Sequence, residues 1–251
     1  MLISHTRKFI YLKTHKTAST SIEGYLERFC APPGHMPEHS QAEIKSEYGY
    51  IAGRAGQDFK GNFLRAHSEA NLVRTTLGPD TFDRYLKVYA VRNPFDKVVS
   101  WFWFVMPPEI HEDVKDDFDK TRALFSAWLQ MRPKLPVDAA YYRTKKGIFP
   151  AFRIYYETLA EDMAALLRQI GAPQDEATTL PDWKSEYRFH RDRTFHDYYG
   201  GNPALADIVL EAYRFDFRHF GYDPESWRHD HFPGKEAPGS LKPDDIPSPR
   251  D

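Results

Sequence analysis

The chain contains a single cysteine, Cys30, among its 251 residues. One cysteine excludes a disulfide within the chain and is typical of a reducing compartment, so we expect a cytoplasmic location. Long apolar runs are also missing. No stretch approaches the ~20 residues that span a bilayer, and the first apolar run is too short for the core of a signal peptide. A formal net charge of −2 argues against general affinity for nucleic acid or anionic membranes.

Two common signatures of bound groups are missing as well. Residues 13–21 contain no glycine, whereas the Walker loop G-x-x-x-x-G-K-S/T requires two, and this weakens a nucleoside-triphosphate interpretation. The chain has no H-E-x-x-H motif and no set of cysteines, so we expect no metal. His35 and His39 are spaced like ligands on one helical turn, but Pro37 lies between them and favours a loop.

What is present predicts an α/β protein. Hydrophobic residues make up 41% of the chain, enough for a sizeable core. Short apolar runs at 9–12, 87–92 and 152–156 are typical of buried strands, and each is followed by a helical pattern. Three strand–helix units indicate a parallel sheet with right-handed crossovers. We expect one domain over residues 1–231 and a disordered tail, rich in Pro, Gly, Lys and Asp, over residues 232–251.

The first strand leads into a basic, hydroxyl-rich loop that opens a helix. Thr20 and Glu23 have the spacing of a capping box, which predicts the helix start. Free backbone N–H groups and the positive end of the dipole make a helix start suitable for an anion. Lys16 would add a charge, and hydroxyl donors would come from Thr17, Ser19, Thr20 and Ser21. An ordinary strand-to-helix turn is the alternative interpretation.

The second strand–helix unit repeats this arrangement. Asn93 is predicted to cap the helix and Pro94 to be its first residue. Arg92 ends the strand, and ligands of open α/β sheets bind at the carboxyl ends of strands. The alternative role for Arg92 is a salt bridge to Asp96.

Several further local predictions can be checked against a structure. Ser68 is predicted to cap a short helix, Thr158 and Glu161 to form a second capping box, and Asn202 to start the last helix. Residues 134–147 form a basic loop in this prediction and are interpreted as a solvated charge run, with contact to an acidic acceptor as the alternative.

The loop Lys16-Thr17-Ala18-Ser19-Thr20-Ser21 resembles the 5′-phosphosulfate loop of sulfotransferases that use 3′-phosphoadenosine 5′-phosphosulfate (PAPS). The resemblance is to the branch that contains heparan sulfate 2-O-sulfotransferase and many bacterial relatives. Residues 91–101, Val-Arg-Asn-Pro-Phe-Asp-Lys-Val-Val-Ser-Trp, resemble the 3′-phosphate motif of that family. Residues 156–159 and 216–222 also resemble segments of that family, and the resemblance spans about residues 8 to 223.

This resemblance implies a P-loop-like, three-layer α/β fold that transfers a sulfuryl group from PAPS to a hydroxyl or amine, without a metal. Lys16 would contact the transferring group and the leaving phosphate oxygen. The residues implied to hold the 5′-phosphate are Thr17, Ala18, Ser19, Thr20 and Ser21. Arg92 and Ser100 would hold the 3′-phosphate, and a basic segment within 183–193 would close over the nucleotide, with Arg188 or Arg193 as candidates.

The transfer needs a base for the acceptor proton, and we predict His67. Histidine titrates near working pH, and the family resemblance implies a histidine before the short helix that precedes the 3′-phosphate strand. Packing in a loop is the alternative for His67, and His15 and Glu69 are the other candidate bases.

Two other functions stay open at this point. One is a P-loop kinase or NTPase, which would bind ATP with Mg²⁺, and the other is a non-catalytic nucleotide-binding module. The predicted partners are a nucleotide donor and an acceptor that the sequence does not identify, with glycans, lipids and small metabolites as options.

Overall fold

The structure is a computed structural model that describes residues 1–54, 64–145, 147–173, 180–181, 189–190 and 192–230. The described residues form two compact units. The first unit contains residues 1–91 and the described residues from 138 to 181, and the second contains residues 92–137 and the described residues from 189 to 230. The expected tail at 232–251 lies outside the described residues, and a single domain over residues 1–231 stays a prediction.

All described strands belong to the first unit. In chain order they are β1 Leu2–Ser4, β2 Phe9–Leu12, β3 Ile44–Lys45, β4 Gly49–Ile51, β5 Leu86–Val91, β6 Arg143–Thr144, β7 Gly147–Ile148 and β8 Phe152–Tyr155. Six of them form one sheet in the order β3-β4-β1-β2-β5-β8, while β6 pairs with β7. Strands β2, β5 and β8 are parallel neighbours, and β1, β3 and β4 add an antiparallel edge.

The described helices are distributed over both units. In chain order they are α1 Ser19–Leu26, α2 Ala70–Leu77, α3 Pro79–Arg84, α4 Pro94–Val105, α5 Pro108–Val114, α6 Phe118–Gln130, α7 Ala139–Tyr142, α8 Leu159–Gln169, α9 Phe195–Tyr199, α10 Pro203–Ala212 and α11 Arg214–Phe220. None of these helices is long and apolar enough to cross a membrane.

Alternating side chains of β5 show how the sheet of the first unit is covered. Val88 and Ala90 lie in a buried apolar cluster with side chains from α1 and α8. On the opposite face, the Lys87 ammonium donates to the Phe82 carbonyl of α3, and the Tyr89 ring lies 4.6 Å from the Tyr142 ring of α7. Helices therefore pack on both faces of the sheet, which confirms the predicted three-layer α/β class with a central sheet that contains parallel strands.

The second unit is helical and has an aromatic core. Phe102 and Trp103 of α4 are buried, and the Trp103 indole N–H donates to the Tyr198 hydroxyl of α9 over 2.9 Å. The Tyr199 hydroxyl donates to the Phe95 carbonyl at the start of α4. This second hydrogen bond holds the first turn of α4, which carries part of the predicted 3′-phosphate motif.

The asparagine caps are confirmed, whereas other predicted helix starts are wrong. Asn93 and Asn202 accept the N–H groups of Phe95 and Ala204. Asn202 begins α10, but α11 follows it, so α10 is not the last helix. Ser68 accepts from Arg65 and does not cap α2, whose N-cap residue is Glu69.

Two further corrections concern local polar patterns. Thr158 donates to the Asp162 carboxylate and makes no side-chain cap bond at α8, so the capping box with Glu161 is wrong. In the segment 134–147 the basic residues Lys134, Arg143 and Lys145 are exposed, as predicted for a solvated charge run, but the segment is not a loop throughout. It contains α7, and its Asp138 and Tyr142 are fully buried because they pack against the parallel strands and the loop that follows β2.

Candidate active site

The loop between β2 and α1 has an unusual backbone. Lys16 and Ala18 both have φ of 56°, in the left-handed region, while Thr17 between them does not. A left-handed conformation is unfavourable for residues other than glycine and tends to occur at functional sites. Alternating backbone conformations of this kind direct successive N–H groups into a concave anion-binding surface. The loop therefore reaches, without glycine, a geometry suited to a phosphate group.

The first turn of α1 supports the same interpretation. The N-cap residue is Ala18, no side chain caps the helix, and its first turn carries no acidic residue. Ile22 donates to the Ala18 carbonyl, so by helix geometry the N–H groups of residues 19–21 have no acceptor within the helix. These donors and the positive end of the dipole favour a bound anion.

Glu23 does not take part in the predicted capping box with Thr20, because its carboxylate is fully buried among cations. It accepts from the Lys13 ammonium over 2.6 Å and from Arg54 over 3.0 Å, and it also contacts the amino group of Met1. Burial alone would raise the pKa of Glu23, but the amino group of Met1, Lys13 and Arg54 together lower that pKa to about 2. Lys13 therefore has a structural role, as the partner of a buried carboxylate. The second lysine of the loop, Lys16, is partly exposed.

Two threonines anchor the loop to the sheet. The Thr14 hydroxyl donates to the Ala90 carbonyl of β5 over 2.7 Å and lies 2.8 Å from the Thr17 hydroxyl. Because Thr14 uses its only proton on Ala90, Thr17 must be the donor between the two hydroxyls. Thr17 is fully buried, so its hydroxyl braces the loop and its backbone N–H is the group suited to an anion. Thr20 is partly exposed at the start of α1.

His67 lies against the backbone of this loop. Its Nδ1 is 2.9 Å from the Lys13 carbonyl oxygen. A carbonyl only accepts, so Nδ1 carries the proton and Nε2 of the neutral ring carries the lone pair. The side chain keeps some accessible surface, yet desolvation and the positive charges of His15, Lys13 and the Met1 amino group all lower the pKa of His67. A neutral ring with its lone pair on Nε2 can accept a proton.

His15 connects His67 to a buried carboxylate. The two imidazole rings are stacked, with centroids 4.3 Å apart and planes 9° from parallel. Asp138 accepts both the backbone N–H of His15, over 3.0 Å, and its ring Nδ1, over 2.6 Å. The Tyr141 hydroxyl donates to the His67 carbonyl, and its ring meets His15 edge-on. The sequence did not reveal Asp138 or Tyr141, because Asp138 lies 123 positions from His15 in a segment with no motif.

In the second unit, the side chain of Arg92 forms the ion pair that was the alternative prediction. Its Nε and one terminal nitrogen lie 2.8 and 2.7 Å from Oδ2 of Asp96, and both side chains are buried. Asn93 caps α4 with its carbonyl oxygen and donates its amide group to the Ser226 hydroxyl. Ser100 lies on α4 and is partly exposed. The pair with Asp96 fixes the direction of the Arg92 guanidinium.

Only part of the predicted nucleotide-covering segment is described. Arg193 is about half exposed, pairs with Asp192 over 3.4 Å and places its guanidinium 5.1 Å from the centre of the Phe118 ring. Arg188 lies outside the described residues, so both candidates stay predictions. Among the residues that the structure describes, no group of three or more His, Cys, Asp or Glu side chains could hold a metal ion.

Comparison with known proteins gives a family model that covers most of the chain, including the loop after β2. A family model described as "Sulfotransferase family" matches residues 1–223, which run from before β1 to beyond α11. A protein of Archaeoglobus fulgidus, described as an uncharacterized protein, is 30% identical over 106 residues, which cover 41% of this chain and 82% of that relative. No solved structure matches the chain.

Proposed function

Because this chain belongs to the sulfotransferase family, we propose that it transfers a sulfuryl group from PAPS to a hydroxyl or amine of an acceptor. The observation that carries the proposal is the 2.9 Å contact between His67 Nδ1 and the Lys13 carbonyl. It joins a neutral histidine to the loop whose backbone suits a phosphate. The group that accepts the acceptor proton would therefore lie next to the loop that binds the sulfate donor.

Lys16 and the start of α1 receive the 5′ end of the donor in this proposal. Backbone N–H groups of residues 17–21 and the hydroxyls of Ser19, Thr20 and Ser21 bind the 5′-phosphate, supported by the dipole of α1. Lys16 contacts the oxygen that bridges phosphorus and sulfur. This oxygen gains negative charge as the S–O bond breaks, so a cation there stabilises the transition state more than the ground state.

Arg92 and Ser100 bind the 3′-phosphate in this proposal, and Arg193 or Arg188 covers the nucleotide. Support comes from the order of the two motifs along the chain and from the sheet, in which β2 and β5 are adjacent and parallel. Residues that follow the two strands thus leave the sheet at the same edge, the usual location of ligands in such sheets.

His67 acts as the base. Its Nε2 takes the proton of the acceptor hydroxyl while the acceptor oxygen forms a bond to sulfur. The bond between sulfur and the bridging oxygen breaks at the same time, and adenosine 3′,5′-bisphosphate leaves with the electron pair. In an in-line transfer the protein contributes positioning and charge stabilisation, and no covalent intermediate is needed. Glycans, lipids and small metabolites remain the acceptor classes, and the cytoplasmic location stays a prediction.

Calorimetric titration with adenosine 3′,5′-bisphosphate, followed by an acceptor panel with ³⁵S-labelled PAPS, tests the function. We expect binding without Mg²⁺, transfer to at least one acceptor, and loss of transfer in Lys16→Ala and His67→Ala. Mg²⁺-dependent ATP binding in place of bisphosphate binding would indicate a kinase or NTPase. Bisphosphate binding without transfer to any acceptor would indicate a non-catalytic module. Either result contradicts the proposal.

A further inference from the structure

The stacked rings of His15 and His67 are poorly suited to carry two positive charges. Their centroids are 4.3 Å apart, a distance at which two imidazolium ions repel each other strongly. The pair is therefore most stable with at most one added proton. The groups hydrogen-bonded to each ring and the charges near it decide which ring takes that proton.

The surroundings of the two rings differ in charge. His15 faces the buried carboxylate of Asp138, which accepts its ring N–H over 2.6 Å and its backbone N–H over 3.0 Å. A carboxylate at this distance stabilises a positive ring. His67 donates to a neutral carbonyl, that of Lys13.

Of the other titratable groups near the two rings, the two cations act in the same direction. Positive charge on the Lys13 ammonium and the Met1 amino group disfavours a charged His67. The Tyr141 hydroxyl, which donates to the His67 carbonyl, is neutral, and burial raises its pKa further. The carboxylate of Glu69 acts electrostatically on Tyr141.

We propose that Asp138 is a positioning residue that places the single positive charge of the stacked pair on His15 and thereby keeps His67 neutral as the base. Asp138 touches neither donor nor acceptor in this arrangement. It acts through His15, whose backbone and ring it holds at once. The assignment of His67 as base rests on the proposed function, whereas the distribution of charge can be measured without any substrate.

The His67 pKa is the direct readout, measured by NMR on the imidazole ¹H–¹³C signals of the full chain. Asp138→Asn removes the charge that stabilises a positive His15, so His67 loses a cationic neighbour. We expect the pKa of His67 to rise by about one unit or more toward its ordinary value. The acid limb of the kcat/KM profile should move to higher pH by the same amount. A His67 titration that is unchanged in Asp138→Asn overturns the proposal.

A second variant keeps the test decisive if Asp138→Asn does not fold. His15→Phe retains a stacked ring without charge, and we expect it also to raise the pKa of His67; an unchanged value overturns the proposal. Asp83→Asn is the matched control, because it removes an exposed carboxylate paired with Arg74 in the same unit and should leave His67 unchanged. If the His67 shifts occur but no acceptor is sulfated, the proposed function fails while the charge assignment stands.

Discussion

The Thr14 hydroxyl donates to the Ala90 carbonyl across 2.7 Å and so ties the loop after β2 to the neighbouring parallel strand. Both residues are fully buried. The same hydroxyl accepts from Thr17, so one side chain links the sheet, the loop and the residue before the α1 cap. These two hydrogen bonds thus stabilise the left-handed backbone conformation of Lys16 and Ala18.

Thr14→Val tests this anchor, because valine has nearly the same shape and lacks the hydroxyl. The Ala90 carbonyl and the Thr17 hydroxyl would each lose a buried partner, and we expect unfolding to become easier by about 1–3 kcal/mol. Bisphosphate affinity should fall as well, since the loop must be ordered on binding. Thr75→Val is a matched control on the exposed face of α2. Equal stability of the two variants in urea titrations would refute the anchor.

The two lysines of the loop should give opposite phenotypes. Lys16→Ala should lower kcat by roughly 10²- to 10³-fold, the range for loss of a group that stabilises transition-state charge. Its midpoint of urea unfolding should match that of the wild type. Lys13→Ala should instead lower stability, by about 3 kcal/mol or more, because Glu23 loses a buried partner at 2.6 Å. If Lys16→Ala were the less stable variant, the roles would be reversed.

The 3′-phosphate role of Arg92 can be separated from its ion pair with Asp96 by comparing ligands. Arg92→Ala should weaken binding of adenosine 3′,5′-bisphosphate but leave the affinity for adenosine 5′-monophosphate, which lacks the 3′-phosphate, nearly unchanged. Any structural effect of losing the ion pair with Asp96 should lower the affinity for both ligands equally. Arg132→Ala, an exposed arginine paired with Glu211, is the control and should alter neither affinity. An equal loss for both ligands would assign Arg92 a purely structural role.

Donor binding should raise the pKa of His67. The ligand brings negative charge to the loop that His67 contacts through the Lys13 carbonyl, and negative charge stabilises an imidazolium. Saturation with adenosine 3′,5′-bisphosphate is therefore expected to raise the pKa of His67, which NMR titration measures directly. Adenosine, which has no phosphate, is the matched control ligand. A His67 titration that the bisphosphate leaves unchanged would place the phosphate site elsewhere.

Short-range patterns predicted the helix starts at Asn93 and Asn202 because both side chains bond within two residues. The capping boxes failed where a distant partner or another local acceptor competed. Glu23 bonds Lys13, Arg54 and the amino group of Met1, and Thr158 donates to Asp162. Spacing alone does not show such competition, since burial decides which partner a carboxylate takes.

In the candidate site, too, local sequence predicted some features, and others depend on contacts between distant residues. Lys16 and the loop were predicted because strand, polar turn and helix are consecutive in sequence. His67 could be named, but its contact with Lys13 could not, and Asp138 was missed entirely. The three meet only because the segments that carry them converge on the same loop of the first unit.

Acid should destabilise the protein through Glu23. The pKa of this carboxyl is about 2 in the folded protein, against an ordinary value of about 4.5, so the folded state binds fewer protons than the unfolded state between these values. The stabilisation is complete above pH 4.5 and is lost as the pH falls through 2, amounting to a few kcal/mol. Glu23→Gln should be less stable at neutral pH and show a flatter decline in urea titrations from pH 5 to 2. Glu211→Gln, which removes the carboxylate of an exposed ion pair, is the control and should lose stability with falling pH as the wild type does. If the free energy of unfolding fell equally steeply with pH in Glu23→Gln and the wild type, Glu23 would not be the source of the acid sensitivity.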